Sequence, residues 1–171
     1  INKLNVTAEQ QQHGTINYYL PHCPQGITQV KTFSKICILN IYPGVDWMLY
    51  SDKGGKLKYD FVIHPGANPG VVKMKYSGAG QIKTNERGNL AVATALGEIE
   101  EGALVSYQNN KQIESNYLIN AENNEVQFRF GDLDPKHDLV IDPPLQLLWS
   151  TYFGGGSSDA PEAVTTDGAE N

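Results

Sequence analysis

Hydrophobic and polar residues alternate with a period of two along much of this chain. In the segment 57–64 the odd positions carry Leu, Tyr, Phe and Ile, and the even positions include Lys, Asp and His. The segments 72–76 and 126–130 repeat the pattern, with Lys, Gln or Arg between apolar residues. Successive side chains of a β-strand point to opposite faces, so this pattern predicts strands with one buried and one solvated face.

Seven further segments are strand candidates: 15–20, 34–42, 45–50, 81–84, 90–95, 112–119 and 139–141. Turn-forming sequences separate them, among them Pro43-Gly44, Asp52 to Gly55 and Ala121 to Asn124. The segment 91–106 contains helix-favouring Ala, Leu and Glu, but Gly97 and Gly102 interrupt it, and we expect two short strands there. Turns at such short intervals predict an all-β, antiparallel, two-sheet β-sandwich of about ten short strands.

The same alternation of odd and even positions predicts which residues form the hydrophobic core. Phe61, Phe128, Tyr59 and Ile63 occupy positions expected to be buried. Tyr76, Tyr117 and Trp47 also lie on core-facing parities, so we expect packing rather than a sugar-stacking platform from most of the aromatic residues. For three other tyrosines the neighbouring residues do not indicate which face of the sheet the side chain occupies. These are Tyr18, Tyr19 and Tyr50.

Charge and composition narrow the class of partner. The chain has 171 residues, with 13 Lys and Arg against 19 Asp and Glu, a net charge of −6. An acidic chain without a basic cluster argues against nucleic acid as a partner. No apolar run approaches the roughly 20 residues of a membrane-spanning helix. With 40% hydrophobic residues, the chain can bury a core.

Cysteine use is sparse. Cys23 and Cys37 are the only two cysteines. Neither lies in a C-x-x-C motif, so no metal site is predicted from them. A disulfide between Cys23 and Cys37 and two free thiols both remain open. Cys37 alternates with Ile36 and Ile38, so its side chain should point away from theirs.

Most candidate chemistry has a simpler structural interpretation. Gly78-Ala79-Gly80 lacks the third glycine of a nucleotide-binding loop, and the acidic segment 132–138 lacks the central glycine of a calcium loop. Glu98, Glu100 and Glu101 are expected to be solvated at a strand end or turn. His64 has no carboxylate or serine at local spacing and is expected to be a strand-end residue. No catalytic residue, cofactor site or metal site is therefore predicted.

One enzymatic alternative stays open. A carbohydrate-active hydrolase would need a carboxylate pair, for which the candidates are Asp46, Asp60, Glu98 and Glu101. Two carboxyl groups about 5–9.5 Å apart in an aromatic-lined cleft would favour that enzyme. A sheet face of tyrosines without such a pair would favour binding.

Several short motifs in a fixed order resemble a known kind of protein. They are Asn17-Tyr18-Tyr19, the segment 40–46 (NIYPGVD), the segment 58–69 (KYDFVIHPGANP), Tyr107-Gln108, the segment 139–143 (LVIDP) and the segment 150–155 (STYFGG). This set resembles the uncharacterised N-terminal domain that precedes SBBP-type β-propeller repeats in large bacterial surface or secreted proteins. Cys23 and Cys37 are not part of the pattern.

The resemblance implies a domain organisation and a role. Residues 1–146 would form the N-terminal β-sandwich, and residues 147–171 the truncated start of the first propeller repeat, since a blade needs about 40–50 residues. The expected partner is the protein's own C-terminal propeller, together with a carbohydrate or a surface protein. The expected function is that of a non-enzymatic extracellular or cell-surface module, structural or adhesive, with carbohydrate binding.

Overall fold

A computed structural model describes residues 4–95 and 97–146, and the regular elements of this part are β-strands apart from one 3₁₀ turn, Pro69–Val71. The strands are β1 Asn5–Leu20, β2 Cys23–Tyr42, β3 Val45–Ser51, β4 Leu57–Ile63, β5 Met74–Lys75, β6 Ile82–Thr84, β7 Leu90–Thr94, β8 Gly97–Glu101, β9 Val105–Gln108, β10 Lys111–Ile113, β11 Ser115–Asn120, β12 Glu125–Phe130, β13 Leu139–Asp142 and β14 Leu145–Gln146.

The strands form three sheets in which every pairing is antiparallel. A seven-stranded sheet has the order β1-β2-β3-β4-β13-β9-β10, and two smaller sheets have the orders β11-β12-β5 and β14-β8-β7-β6. The predicted all-β, antiparallel, sandwich-like architecture is confirmed. The described chain has fourteen strands rather than about ten, and two of them are long.

The large sheet packs against the three-stranded sheet through aromatic residues of β4 and β12. The ring centroids of Phe61 and Phe128 are 6.2 Å apart. Tyr59, Phe61, Ile63 and Phe128 are all buried, as predicted. Leu57, which has the same parity, is 60% exposed because it pairs with Ser51 beside the turn and lies outside this contact.

A second core lies beneath the four-stranded sheet. Ile82, Leu90 and Val92 on its inner face pack with Val126 of β12. Tyr76 and Tyr117 pack against this cluster, as their parity predicts. The strand predicted over 72–76 is shorter than expected: Val72 follows the 3₁₀ turn, and only Met74 and Lys75 pair with β12.

Strands β1 and β2 form a hairpin much longer than predicted. The two predicted strands, 15–20 and 34–42, are parts of continuous strands of 16 and 20 residues. Strand β3 pairs with β2 only from Lys35 onward, so the outer part of the hairpin has no third strand. Strand β1 is exposed along its whole length, including Tyr18 and Tyr19.

The two cysteines lie far apart on one strand. Cys23 faces Leu20 at the end of the hairpin, while Cys37 is buried and faces Thr7 and Met48. Fourteen residues of extended chain span roughly 45 Å at about 3.3 Å per residue, against a limit of about 7 Å between the Cα atoms of a disulfide. Of the two alternatives, the structure has the free thiols. Met48 lies opposite Cys37, on the face away from Ile36 and Ile38, as predicted.

We expect Phe61→Ala to lower the free energy of unfolding by about 3–5 kcal/mol, since it leaves a cavity between the two sheets. Urea unfolding followed by circular dichroism measures the loss. Leu57→Ala, on the same strand at an exposed position, is the matched control and should cost under about 1 kcal/mol. Similar losses in the two variants would show that the inter-sheet contact is not the core.

We expect two thiols to react in the denatured protein without added reductant, because the bridge is geometrically excluded. In the native protein Cys23 should react first, and Cys37 more slowly, because burial shields its thiol and raises its pKa. Titration with a chromogenic disulfide reagent measures the number of thiols in the denatured protein and the rate at which each thiol reacts in the native protein. A denatured protein with no reactive thiol would contradict the strand assignment of Cys23 and Cys37.

Candidate functional site

A cavity of about 320 Å³ lies where β2, β3 and β4 of the large sheet approach β5 and β8 of the smaller sheets. Aromatic residues dominate its wall, and Glu101 and Lys73 are its charged residues. The lining residues are Ile41, Tyr42, Trp47, Tyr59, Phe61, Lys73, Met74, Tyr76 and Glu101. All three sheets thus contribute to this cavity, which we call the aromatic pocket.

Strand alternation places the aromatic rings on this wall. Trp47 of β3 is directly opposite Phe61 of β4, and the two rings are stacked at 6.1 Å with an interplanar angle of 13°. Tyr59, two residues before Phe61, meets it edge-on at 5.7 Å. The rings are therefore held by one another and by the core beneath them. Such a wall is rigid and largely apolar.

Glu101 is a buried carboxylate in this apolar wall. It is 5% exposed and lies at the end of β8, opposite Leu90 on the inner face of its sheet. The Tyr76 hydroxyl donates a hydrogen bond to its Oε1 at 2.7 Å, and the Tyr59 hydroxyl donates to its Oε2 at 3.1 Å. Burial raises the pKa of Glu101, and the two hydroxyl donors oppose that rise.

The tyrosines remain donors across the working pH range. Burial, followed by the charge of Glu101, raises the pKa of both Tyr59 and Tyr76. Each hydroxyl therefore keeps its proton and continues to donate to the carboxylate.

Two polar groups of the pocket lack a full set of partners within the described residues. No Lys, Arg or His of this part of the chain forms an ion pair with Glu101. The indole Nε1 of Trp47 is buried and has no acceptor among these residues. Lys73 is half exposed and directs its ammonium to Glu125, 3.3 Å away. Both oxygens of Glu101 are hydrogen-bonded, so Glu101 lacks only a cation, whereas the indole N–H of Trp47 lacks any acceptor.

The expectation that all three glutamates would be solvated is wrong for Glu101. Strand β8 alternates, so Glu101 shares a face with Ile99, away from Glu98 and Glu100; Ile99 is 42% exposed, and only Glu101, opposite Leu90, reaches the core. Glu100 instead accepts hydrogen bonds from Asn85 and Asn89, which lower its pKa. In the sequence, burial of Glu101 was indicated only by its position two residues after Ile99, which puts the two side chains on the same face of the strand. The neighbouring acidic residues obscured this indication.

The other candidate carboxylates do not join Glu101 in the pocket. Asp46 and Asp60 occupy even positions of β3 and β4, on the face opposite Trp47 and Phe61. Glu98 is exposed, and its Oε2 lies 3.9 Å from Lys83 Nζ. Asp60 accepts a hydrogen bond from Tyr50 at 3.1 Å, and burial, with the nearby charge of Asp142, raises its pKa to about 6. Glu101 is therefore the only one of the four candidates in the aromatic pocket, while Asp46 and Asp60 share the opposite face of the large sheet.

His64 has carboxylate partners that local spacing could not show. Its Nε2 lies 3.0 Å from Asp46 Oδ2, and its Nδ1 lies 3.0 Å from Asp138 Oδ1. These two partners, Asp46 first, raise the pKa of His64. The same Asp46 accepts a hydrogen bond from the Asn40 amide at 2.8 Å. His64 therefore joins the ends of β3, β4 and β13 as a clamp.

The remaining motifs have structural roles. Asp134 in the acidic segment accepts a hydrogen bond from the Lys136 amide, and its loop is fixed by Gln108, as expected of a polar turn. Within residues 4–95 and 97–146, no group of three or more His, Cys, Asp or Glu side chains is arranged to hold a metal ion. No helix in that part of the chain is long and apolar enough to cross a membrane.

Fold and pocket together define an all-β, sandwich-like domain with an aromatic pocket built around one buried carboxyl group. The family model described as "Domain of unknown function (DUF7948)" matches residues 2–144, so the chain belongs to this family. No curated protein and no solved structure gives a significant match. The segment 147–171, assigned from sequence to the start of a propeller repeat, lies outside the described residues.

We expect the clamp at His64 to make stability depend on pH. The folded pKa of His64 is raised above its usual value of about 6.5, so the charged ring stabilises the fold below about pH 6.5. This contribution is lost as pH rises through the folded pKa. The difference in melting temperature between wild type and His64→Gln should therefore be largest at pH 5.5–6 and smaller at pH 8.5. His13→Gln, on exposed β1, is the control and should show no such dependence. A constant difference for His64→Gln would contradict the clamp.

Proposed function

We propose that this domain is a non-enzymatic binding module of a bacterial surface or secreted protein, and that the aromatic pocket holds a sugar residue. The observation that carries the proposal is the composition of the pocket wall: aromatic rings beside one buried carboxyl group. A pyranose has apolar C–H faces that pack on flat rings and hydroxyl groups that need hydrogen-bond partners.

The size and chemistry of the pocket suit one such ring. A volume of 320 Å³ falls at the lower end of the roughly 300–1,000 Å³ typical of ligand pockets. Trp47 contributes ring surface to the wall, and Glu101 has acceptor capacity left after its two tyrosine bonds. Because the rings are held by the core, little ordering cost accompanies binding.

The pocket favours binding over hydrolysis. Hydrolysis of a glycosidic bond ordinarily uses two carboxyl groups about 5–9.5 Å apart. Glu101 is the only carboxyl group among the described residues that line the pocket. Asp46 and Asp60 lie on the opposite face of the large sheet. The carbohydrate-active hydrolase is therefore the weaker candidate.

The position proposed for this domain within a larger protein rests on its sequence motifs. Their resemblance to the domain preceding SBBP-type repeats supports a position beside a C-terminal β-propeller in the parent protein. In that setting the module would contribute to adhesion or to assembly at the cell surface, with the sugar as the recognised group.

A glycan array probed with the 171-residue chain tests this function directly. Hits are then titrated by calorimetry and by intrinsic fluorescence. For fluorescence we use Trp149→Phe, which leaves Trp47 as the single tryptophan reporter. Binding of sugars with a change in Trp47 emission supports the proposal. Absence of binding to any glycan at millimolar concentration would refute it.

We expect Trp47→Phe to weaken sugar binding roughly threefold to tenfold, since it keeps an aromatic ring but reduces the ring surface that this position offers to the pocket. Calorimetry measures the dissociation constant, and circular dichroism checks the fold. Tyr19→Phe, on the exposed hairpin, is the matched control and should leave affinity unchanged. Equal affinities of wild type and Trp47→Phe would place Trp47 outside the binding site.

A further inference from the structure

Resting on the proposed function, we infer that the sugar held by the aromatic pocket carries a free, positively charged amine that lies against Glu101. The ligand class is thus an amino sugar rather than a neutral or acidic one. This inference rests on the environment of Glu101. Its carboxyl group is 5% exposed and lines the aromatic pocket, and no cationic side chain of the described residues is paired with it.

A buried carboxyl group of this kind is costly unless its environment compensates it. An ionised carboxylate out of water needs a cation, or it takes up a proton instead. The hydroxyls of Tyr59 and Tyr76 donate to its two oxygens but carry no charge. A ligand ammonium would supply both the missing charge and further hydrogen-bond donors.

The wall of the pocket suits a cation as well as a sugar face. Tyr42, Trp47, Tyr59, Phe61 and Tyr76 all line it. The faces of aromatic rings carry negative electrostatic potential and attract ammonium groups, tryptophan most strongly. The burial that makes Glu101 costly also strengthens its attraction for a ligand charge. Rings and carboxylate therefore select for the same chemical group.

Lys73 does not fill this role. Its ammonium is 3.3 Å from Glu125, and its side chain is half exposed. Lys73 therefore lies at the solvent side of the pocket, while the inner wall is negative at Glu101. An acidic sugar bound in the orientation proposed for the amino sugar would bring a second negative charge toward Glu101 and is disfavoured. An N-acetylated sugar has the ring but not the charge, so it should bind no better than a neutral sugar.

The experiment compares glucosamine, glucose and N-acetylglucosamine on the 171-residue chain by calorimetry at pH 6.5. Glucosamine should bind at least tenfold more tightly than the other two. Glu101→Gln retains the size of the side chain and can still bond to both tyrosines, and it should remove this preference, so that glucosamine and glucose bind with similar affinity. Glu100→Gln, the adjacent outward-facing acid, is the control and should retain the preference.

The outcomes separate the two proposals. Equal affinity for glucosamine and glucose overturns the amine inference and leaves the sugar-binding function standing. Failure of all three sugars to bind, together with an empty glycan array, overturns both. A glucosamine preference that survives in folded Glu101→Gln, as judged by near-UV circular dichroism, would also overturn the assignment of the amine to Glu101.

Discussion

The contact between Phe61 and Phe128 joins the two sheets on which the rest of the structure depends. Seven strands cannot bury one face alone, and the three-stranded sheet covers only the part of that face that carries these rings. Because strand side chains alternate, this contact also assigns every neighbouring residue of β3 and β4 to the inside or the outside. A shift of one residue would expose the core and bury Asp60 in its place.

The aromatic pocket is a consequence of how three sheets meet. Two sheets pack closely at Phe61, but the four-stranded sheet approaches from the end of β8 and brings Glu101 to the same wall. The carboxyl group is tolerated because two tyrosine hydroxyls compensate part of its desolvation. A pocket with a charged group at its inner wall and rings on its sides favours polar recognition over simple apolar packing.

The outer face of the large sheet differs from the aromatic pocket in that several of its charged side chains have partners of opposite charge. His64 bridges Asp46 and Asp138, and Lys58 lies 3.3 Å from Asp142, so its charges are largely paired with one another. Glu101, on β8 of the four-stranded sheet, has no cationic partner among the described residues, whereas these acids of the large sheet do. The carboxyl group without a cationic partner supports the aromatic pocket, rather than the charged face, as the proposed binding site.

Sequence alone determined the fold class and much of the core, because alternation is a local property and Tyr59, Phe61 and Phe128 follow it directly. It could not show the length of the β1–β2 hairpin, since exposed strands with mixed polarity carry no alternating signal. Only the tertiary structure brought Glu101 to Tyr59 and Tyr76, and His64 to Asp138, 74 residues away. Such contacts depend on which sheets pack together, and that choice is made by the whole set of buried faces rather than by any one segment.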